Sequence, residues 1–234
     1  AEGSASLVLD VKVGSGAFMK DLASARELAA TMVSLGSAHG VRTVALITDM
    51  STPLGRTAGN ALEVAESVEV LAGGGPADVV TLTLALAREM LAGAGLPDVD
   101  PADALRDGRA MDVWRAMIAA QGGDPAAPLP TARERHVVSA PASGVLSRLD
   151  ALAVGVAAWR LGAGRARKED TVSAGAGVVM LAKPGDEVRA GQPLLELHAD
   201  DAVLFGRALE ALEGGFDIGD DYRAPPLIID RIGA

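Results

Sequence analysis

The sequence predicts an α/β domain over residues 1–130 and an α+β C-terminal subdomain over residues 131–234. Three observations carry that prediction. Residues 5 to 13 (ASLVLDVKV) and 41 to 48 (VRTVALIT) are apolar runs rich in β-branched residues, separated by a Gly14-Ser15-Gly16 break and a stretch with helical spacing. Strand, glycine turn, helix and strand in that order make a βαβ unit, the building block of an α/β sheet. Residues 122 to 130 (GGDPAAPLP) read as a linker, and beyond them short strands and turns become more frequent.

Each element follows from local pattern. Residues 21 to 38 place Leu22, Ala25, Leu28, Ala29, Met32 and Leu35 at helical spacing, with Asp21 as the cap and His39-Gly40 as the stop. After the second strand comes a Pro/Gly-rich loop, MSTPLGR, and a helix expected from about Thr57 to Ala72. Gly73-Gly74-Gly75-Pro76 ends it, and residues 77 to 92 form a second amphipathic helix. Shorter helices are expected at 102–107 and 109–121. In the second part, HVVSA and SGVLS flank Pro141 as two short strands, and residues 149 to 161 make an apolar helix. Residues 172 to 198 alternate strands and turns, 200 to 213 are helical, and the tail PPLIIDRI is a strand.

Composition narrows the function. The net charge is −10, which repels a polyphosphate backbone and argues against nucleic acid as a partner. There is no cysteine, so disulfides, thiolate nucleophiles and sulfur-ligated metals are excluded. No apolar run reaches membrane-spanning length, so a cytoplasmic protein without a membrane partner is expected. With six aromatic residues among 234, the core must be packed from Ala, Val and Leu. The chain opens Ala-Glu-Gly, without Met, and enters a strand almost at once, which suggests a fragment.

Several constellations invite chemistry. Gly14–Gly16 sits between a strand and a helix, as a phosphate-binding turn would. Met19 stands where a GxGxxG pattern needs its third glycine, and Asp49 lies 35 positions after Gly14, too far for a ribose-binding acid. A tight turn that needs glycine for steric reasons fits better. The MSTPLGR loop offers backbone carbonyls, and Glu63 and Glu66 follow one turn apart; together they suit a hard cation, or else a solvated helix face. His39, His136 and His198 have no ligand spacing, Ser15, Ser139 and Ser143 have no visible triad partners, and Trp114 and Trp159 read as core. The segment KPGDEVRAGQP, residues 183 to 193, resembles the turns of biotinyl/lipoyl-type carrier domains, but Lys183 precedes Pro-Gly rather than sitting in a hairpin tip. A hammerhead-like strand arrangement is the milder implication.

Three separated motifs, DVKVGSGAFM (10–19), LITDMSTPLGRTAGNALEV (46–64) and LGAGRARKEDTVSAGAGV (161–178), resemble the thymidine phosphorylase / pyrimidine-nucleoside phosphorylase family, and the likeness runs along the whole chain in order. The resemblance implies a pentosyltransferase of nucleoside salvage. Such an enzyme cleaves thymidine with phosphate to thymine and 2-deoxyribose 1-phosphate, by displacement at the anomeric carbon, where positioning and electrostatics supply most of the rate. It implies a homodimer of helical and α/β domains, with a mixed-sheet large domain and a C-terminal subdomain, and no organic cofactor.

The family's phosphate motif and helical domain are expected upstream of residue 1, so no catalytic residue carries over and the isolated chain is expected to be inactive. Two assignments do carry over. The Leu54 and Thr57 carbonyls and the Glu66 carboxylate match ligands of a monovalent cation, potassium, whose other ligands are expected on the upstream phosphate loop, so the site in this chain is expected to be incomplete; Phe18 matches an aromatic residue near the base pocket. Two alternatives stand beside this reading. One is a non-catalytic role, either as a carrier-like or binding module with a biotinyl/lipoyl-like fold, modified at Lys183, or as a stable cleavage product. The other is a phosphoribosyl transferase acting on anthranilate, although that sister family lacks a region like 131–234.

Overall fold

The computed structural model describes residues 4–233. The first strand, β1 (Ser6–Val13), leads through the glycine turn into α1 (Leu22–Ala38) and back to β2 (Arg42–Asp49). β1 and β2 pair in parallel from Ser6↔Arg42 to Val13↔Asp49, so the βαβ unit is present. Asp21 caps α1: its Oδ1 accepts from the Ser24 N–H at 2.9 Å and its Oδ2 from the Ser24 hydroxyl at 2.8 Å. Those bonds favour the carboxylate and hold Asp21 below its ordinary pKa. Ala25 and Ala29, small enough for close approach, seat α1 on Val11, Val13, Ala45 and Ile47 of the two strands. Six consecutive residues of β2, Thr43 to Thr48, are buried, the pattern of a strand covered on both faces.

The next element departs from expectation. Thr57–Gly59 is a short strand, β3, and the helix α2 begins only at Ala61 and runs to Leu71. Gly59, at φ 152°, lies outside the helical region, and β3 finds a partner 120 residues downstream in β6 (Gly177–Met180), antiparallel, with Thr57↔Val179 and Gly59↔Gly177. That long-range ladder overrides the local helical pattern. α3 (Ala77–Gly93), α4 (Ala102–Arg106) and α5 (Arg109–Ala120) then fall where periodicity places them.

Past residue 130, β4 (Glu134–Ser139) and β5 (Gly144–Leu149) do not pair with each other, despite adjoining a common turn. β4 joins β8 (Pro193–Ala199) at the edge of a sheet ordered β3-β6-β8-β4, whereas β5 lies between β7 (Glu187–Val188) and β9 (Phe216–Gly219). Helices α6 (Ala151–Ala158) and α7 (Leu204–Leu212) complete this part. Val154, Leu161, Val178, Met180, Leu194 and Leu197 are at most 1% exposed in the larger core, and each contributes roughly 1.5–3 kcal/mol by burial.

Trp159 is a correction. It opens a π-helical turn, Trp159–Ala163, at the end of α6 and is 41% exposed rather than core; its neighbour Leu161 takes the buried position. Trp114 is half-buried. The tail strand β10 (Ile228–Ile232) returns to the first sheet and pairs antiparallel with β2, giving the order β1-β2-β10. Through β3 and β10, the segments on either side of residue 130 share two sheets. Among the described residues no helix is long and apolar enough to cross a membrane.

Candidate functional site

Two loops leave the β1-β2 sheet side by side. The 14–20 loop is fixed to the start of the 50–56 loop by backbone bonds: Met50 N–H donates to the Val13 carbonyl at 2.8 Å and Gly16 N–H to the Met50 carbonyl at 2.9 Å. Gly14, at φ 129°, brings its backbone so close to Ser51 that a side chain would overlap the Ser51 amide. Glycine here serves close approach, in agreement with the steric reading of the turn. Just inside the strands, Thr48 is fully buried, donates to Asp10 Oδ1 at 2.5 Å and accepts from Lys12 Nζ at 3.1 Å, while Lys12 also pairs with Asp10 at 2.5 Å. This charge-neutral triad braces the strand ends beneath the loops. Its signal in the sequence was the alternation of Asp10 and Lys12 along one strand face.

The second loop is gripped from three elements. Glu66, on the second turn of α2, accepts the Arg56 N–H at 2.8 Å through Oε1. Glu63, one turn earlier, accepts the Gly59 N–H at 2.8 Å. Asp78, in the first turn of α3, accepts the Gly55 N–H at 3.1 Å. Gly55 has φ 69°, and a Cβ there would overlap Glu66 Oε2, so the loop needs glycine for both conformation and space. From the turn after β6, Lys183 reaches the Pro53 and Gly55 carbonyls and Asp78. Sequence reading missed Asp78 altogether; the only sign of it was an acidic residue in the first turn after Gly75-Pro76.

The electrostatics follow from burial. Removal from water raises the Glu66 pKa above its ordinary value, chiefly by desolvation, against the lowering effect of the Arg56 N–H. Desolvation also lowers the pKa of Lys183, opposed by Asp78. Tyr222 is pushed up by burial and by Asp49 nearby. Tyr222, Asp49, Leu54, Asp78 and Lys183 line a cleft of about 210 Å³, whereas Thr57 and Glu66 line a larger groove of about 460 Å³ with Arg56 and Val179. Thr57 and Glu66 thus share a groove, and Leu54 faces the neighbouring cleft.

The residues fit a hard monovalent cation on three counts. The Leu54 carbonyl accepts no hydrogen bond among the described residues. The Met180 N–H donates to the Arg56 carbonyl at 2.7 Å, which makes Thr57 a non-hydrogen-bonded position of the β3–β6 pair and leaves its carbonyl outside the ladder. Thr57 Oγ1 is buried with no hydrogen bond of ordinary length, and it sits near enough to the Glu66 carboxylate to favour its charged form. Carbonyls, a hydroxyl and one carboxylate are all hard oxygen donors, the type such a cation takes, with Leu54 opening on one cleft and Thr57 and Glu66 on the next. Among the described residues no group of three His, Asp or Glu side chains gathers as a transition-metal site would require.

The remaining candidates are dispersed. Phe18, on the 14–20 loop, is 99% exposed. His198 is buried with Nε2 at 2.7 Å from Glu196, His136 tilts against the Phe205 ring, and His39 contacts the Leu35 carbonyl at the end of α1. Ser15 donates to the Ser51 carbonyl, and Ser143 accepts from the Ala190 N–H.

Comparison with known proteins identifies what the chain as a whole resembles. Residues 1–111 match the Glycosyl transferase family, a/b domain, and residues 145–219 match the Pyrimidine nucleoside phosphorylase C-terminal domain. The chain is 58% identical over 233 residues to a thymidine phosphorylase of Mycobacterium tuberculosis, covering 99% of this chain and 55% of the relative. It is 43% identical over 239 residues to a pyrimidine-nucleoside phosphorylase of Staphylococcus haemolyticus (97% and 55%) and 41% identical over 247 residues to a thymidine phosphorylase of Burkholderia cenocepacia (99% and 56%). The chain spans about half the length of the curated relatives it matches. On the two family matches and these identities, the chain belongs to the thymidine phosphorylase / pyrimidine-nucleoside phosphorylase family.

Proposed function

We propose that the chain is part of a pyrimidine-nucleoside phosphorylase acting on thymidine and phosphate, a transferase that moves a pentosyl group from base to phosphate. The observation that carries this reading is the 58% identity to a thymidine phosphorylase over 233 residues. A phosphate oxygen forms the new bond to the anomeric carbon as the bond to the base nitrogen breaks, and the electron pair leaves with the base. On this reading, the groups that hold phosphate and base belong to the part of the relatives that the chain does not cover. The 234 residues supply the frame, a cation site and one wall of the base pocket, and the enzyme works as a homodimer.

Leu54, Thr57 and Glu66 would hold potassium, whose chemistry is to tie backbone carbonyls and a carboxylate into one rigid loop. Support comes from the Leu54 carbonyl, which accepts no hydrogen bond among the described residues, and from the buried Thr57 hydroxyl beside the half-buried Glu66 carboxylate. Phe18, fully exposed on its loop, is suited to face a planar ring offered from outside these residues. The domain division stays at residue 130, with β10 and β3 as the strands exchanged between the two parts. The second part is hammerhead-like, with β5, β7 and β9 folded against β4, β6 and β8. The carrier alternative gains no support, because the Lys183 ammonium is engaged by Pro53, Gly55 and Asp78.

The test is thymine release from thymidine and phosphate. The 234-residue chain alone should give none above the blank; turnover matching a full-length relative would contradict the assignment of the reacting groups to the uncovered part.

A further inference from the structure

Lys183 is the charged group of this region that the cation reading leaves unused. Its side chain is 16% exposed. The ammonium is held by the Pro53 carbonyl, the Gly55 carbonyl at 2.5 Å, and Asp78 Oδ2 at 3.4 Å. Two backbone carbonyls and a carboxylate are what a small monovalent cation takes, and an ammonium with three donors satisfies all of them. Lys183 comes from the turn after β6, whereas its ligands belong to the 50–56 loop and α3, so one side chain joins three segments distant in sequence. The Leu54 carbonyl lies between the two that Lys183 binds and stays out of that set.

We infer that Lys183 is a positioning residue that serves as the resident cation of this loop, ordering Leu54 to Thr57 so that an exchangeable potassium ion finds its oxygens in place. This rests on the cation reading given above. The alternation is the physical core of it. Peptides 53 and 55 turn their carbonyls to the ammonium, while the peptide between them gives its Gly55 N–H to Asp78, the carboxylate that Lys183 holds, so the Leu54 carbonyl points the opposite way. Without the ammonium, two carbonyl dipoles from buried residues and the Asp78 carboxylate face one another with no positive charge between them. The loop must then open or recruit a cation from solution, and the 210 Å³ cleft beside Lys183 gives a small ion its way in.

The experiment is thermal denaturation of the 234-residue chain, with potassium chloride titrated against choline chloride at constant ionic strength. K183A should raise the half-saturating potassium concentration by about tenfold or more, as losing a group that orients ligands does. K183R keeps the charge with N–H donors to spare in a bulkier, planar group, and should retain more of the potassium affinity than K183A. Methylammonium should stabilise K183A, and tetramethylammonium, which has no N–H, should not. If K183A does not fold, K183M preserves the volume of the stem and carries the potassium comparison.

An unchanged potassium midpoint in K183A or K183M overturns the inference, as does equal behaviour of the two ammonium ions. If the unsubstituted chain shows no potassium-specific stabilisation, the cation reading itself fails, and the methylammonium comparison alone decides whether Lys183 is a resident cation.

Discussion

The two loops that leave the β1-β2 sheet are neighbours built for opposite purposes. The 50–56 loop is gripped by Glu66, Asp78 and Lys183, three charged side chains from three separate elements, and its Pro53 and Gly55 are buried. The 14–20 loop is tied to its neighbour by two bonds to backbone carbonyls, Gly16 N–H to Met50 and the Ser15 hydroxyl to Ser51, and turns Phe18 outward. One loop spends its side-chain contacts on being rigid, which suits a scaffold for ligand oxygens. The other keeps a large apolar ring free, which suits contact with something brought to it. A family likeness marks both loops alike; only the geometry separates frame from contact.

The comparison breaks most visibly at Gly55. Gly55→Ala forces a left-handed alanine and overlaps Glu66 Oε2, so a loss of about 2–3 kcal/mol is expected in urea denaturation. A cost below about 0.5 kcal/mol would mean that the loop is slack and the contrast with its neighbour is false.

A smaller effect sharpens it through pH. The folded-state pKa of Glu66 is raised above the unfolded value. Between the two values the folded chain therefore binds more protons, and without a cation its stability falls as pH rises through that window. Potassium competes with that proton, so its stabilisation should fade as pH drops through the raised Glu66 value. Potassium stabilisation that persists unchanged in acid would remove Glu66 from the ligand set. The smallest effect belongs to the contact loop. Phe18→Ala should change stability by no more than about 0.5 kcal/mol, since the ring touches little in this chain.

Much of the frame was legible in the sequence because the signals are local. The 3.6-residue spacing of Leu22, Ala25 and Ala29, the Asp21 cap and the Gly73–Pro76 stop all act within a few residues. β3 was not legible: Thr57–Gly59 becomes a strand only because β6 offers an edge far along the chain. Trp159 was misplaced for a related reason. An apolar helix face continues through it in sequence, but the π-helical turn hands the buried position to Leu161. In the candidate site, Leu54, Thr57 and Glu66 came from family likeness. Asp78 and Lys183 could not be found by spacing, because long-range packing, with no sequence period, brings them to Gly55.

The most direct measurement is a crystal of the chain soaked in rubidium chloride, with anomalous scattering collected at the rubidium edge. The account predicts a peak bonded to the Leu54 and Thr57 carbonyls and the Glu66 carboxylate, with the Lys183 ammonium still seated on Pro53 and Gly55. An ordered loop with no peak there, or a peak only at other oxygens, would contradict it.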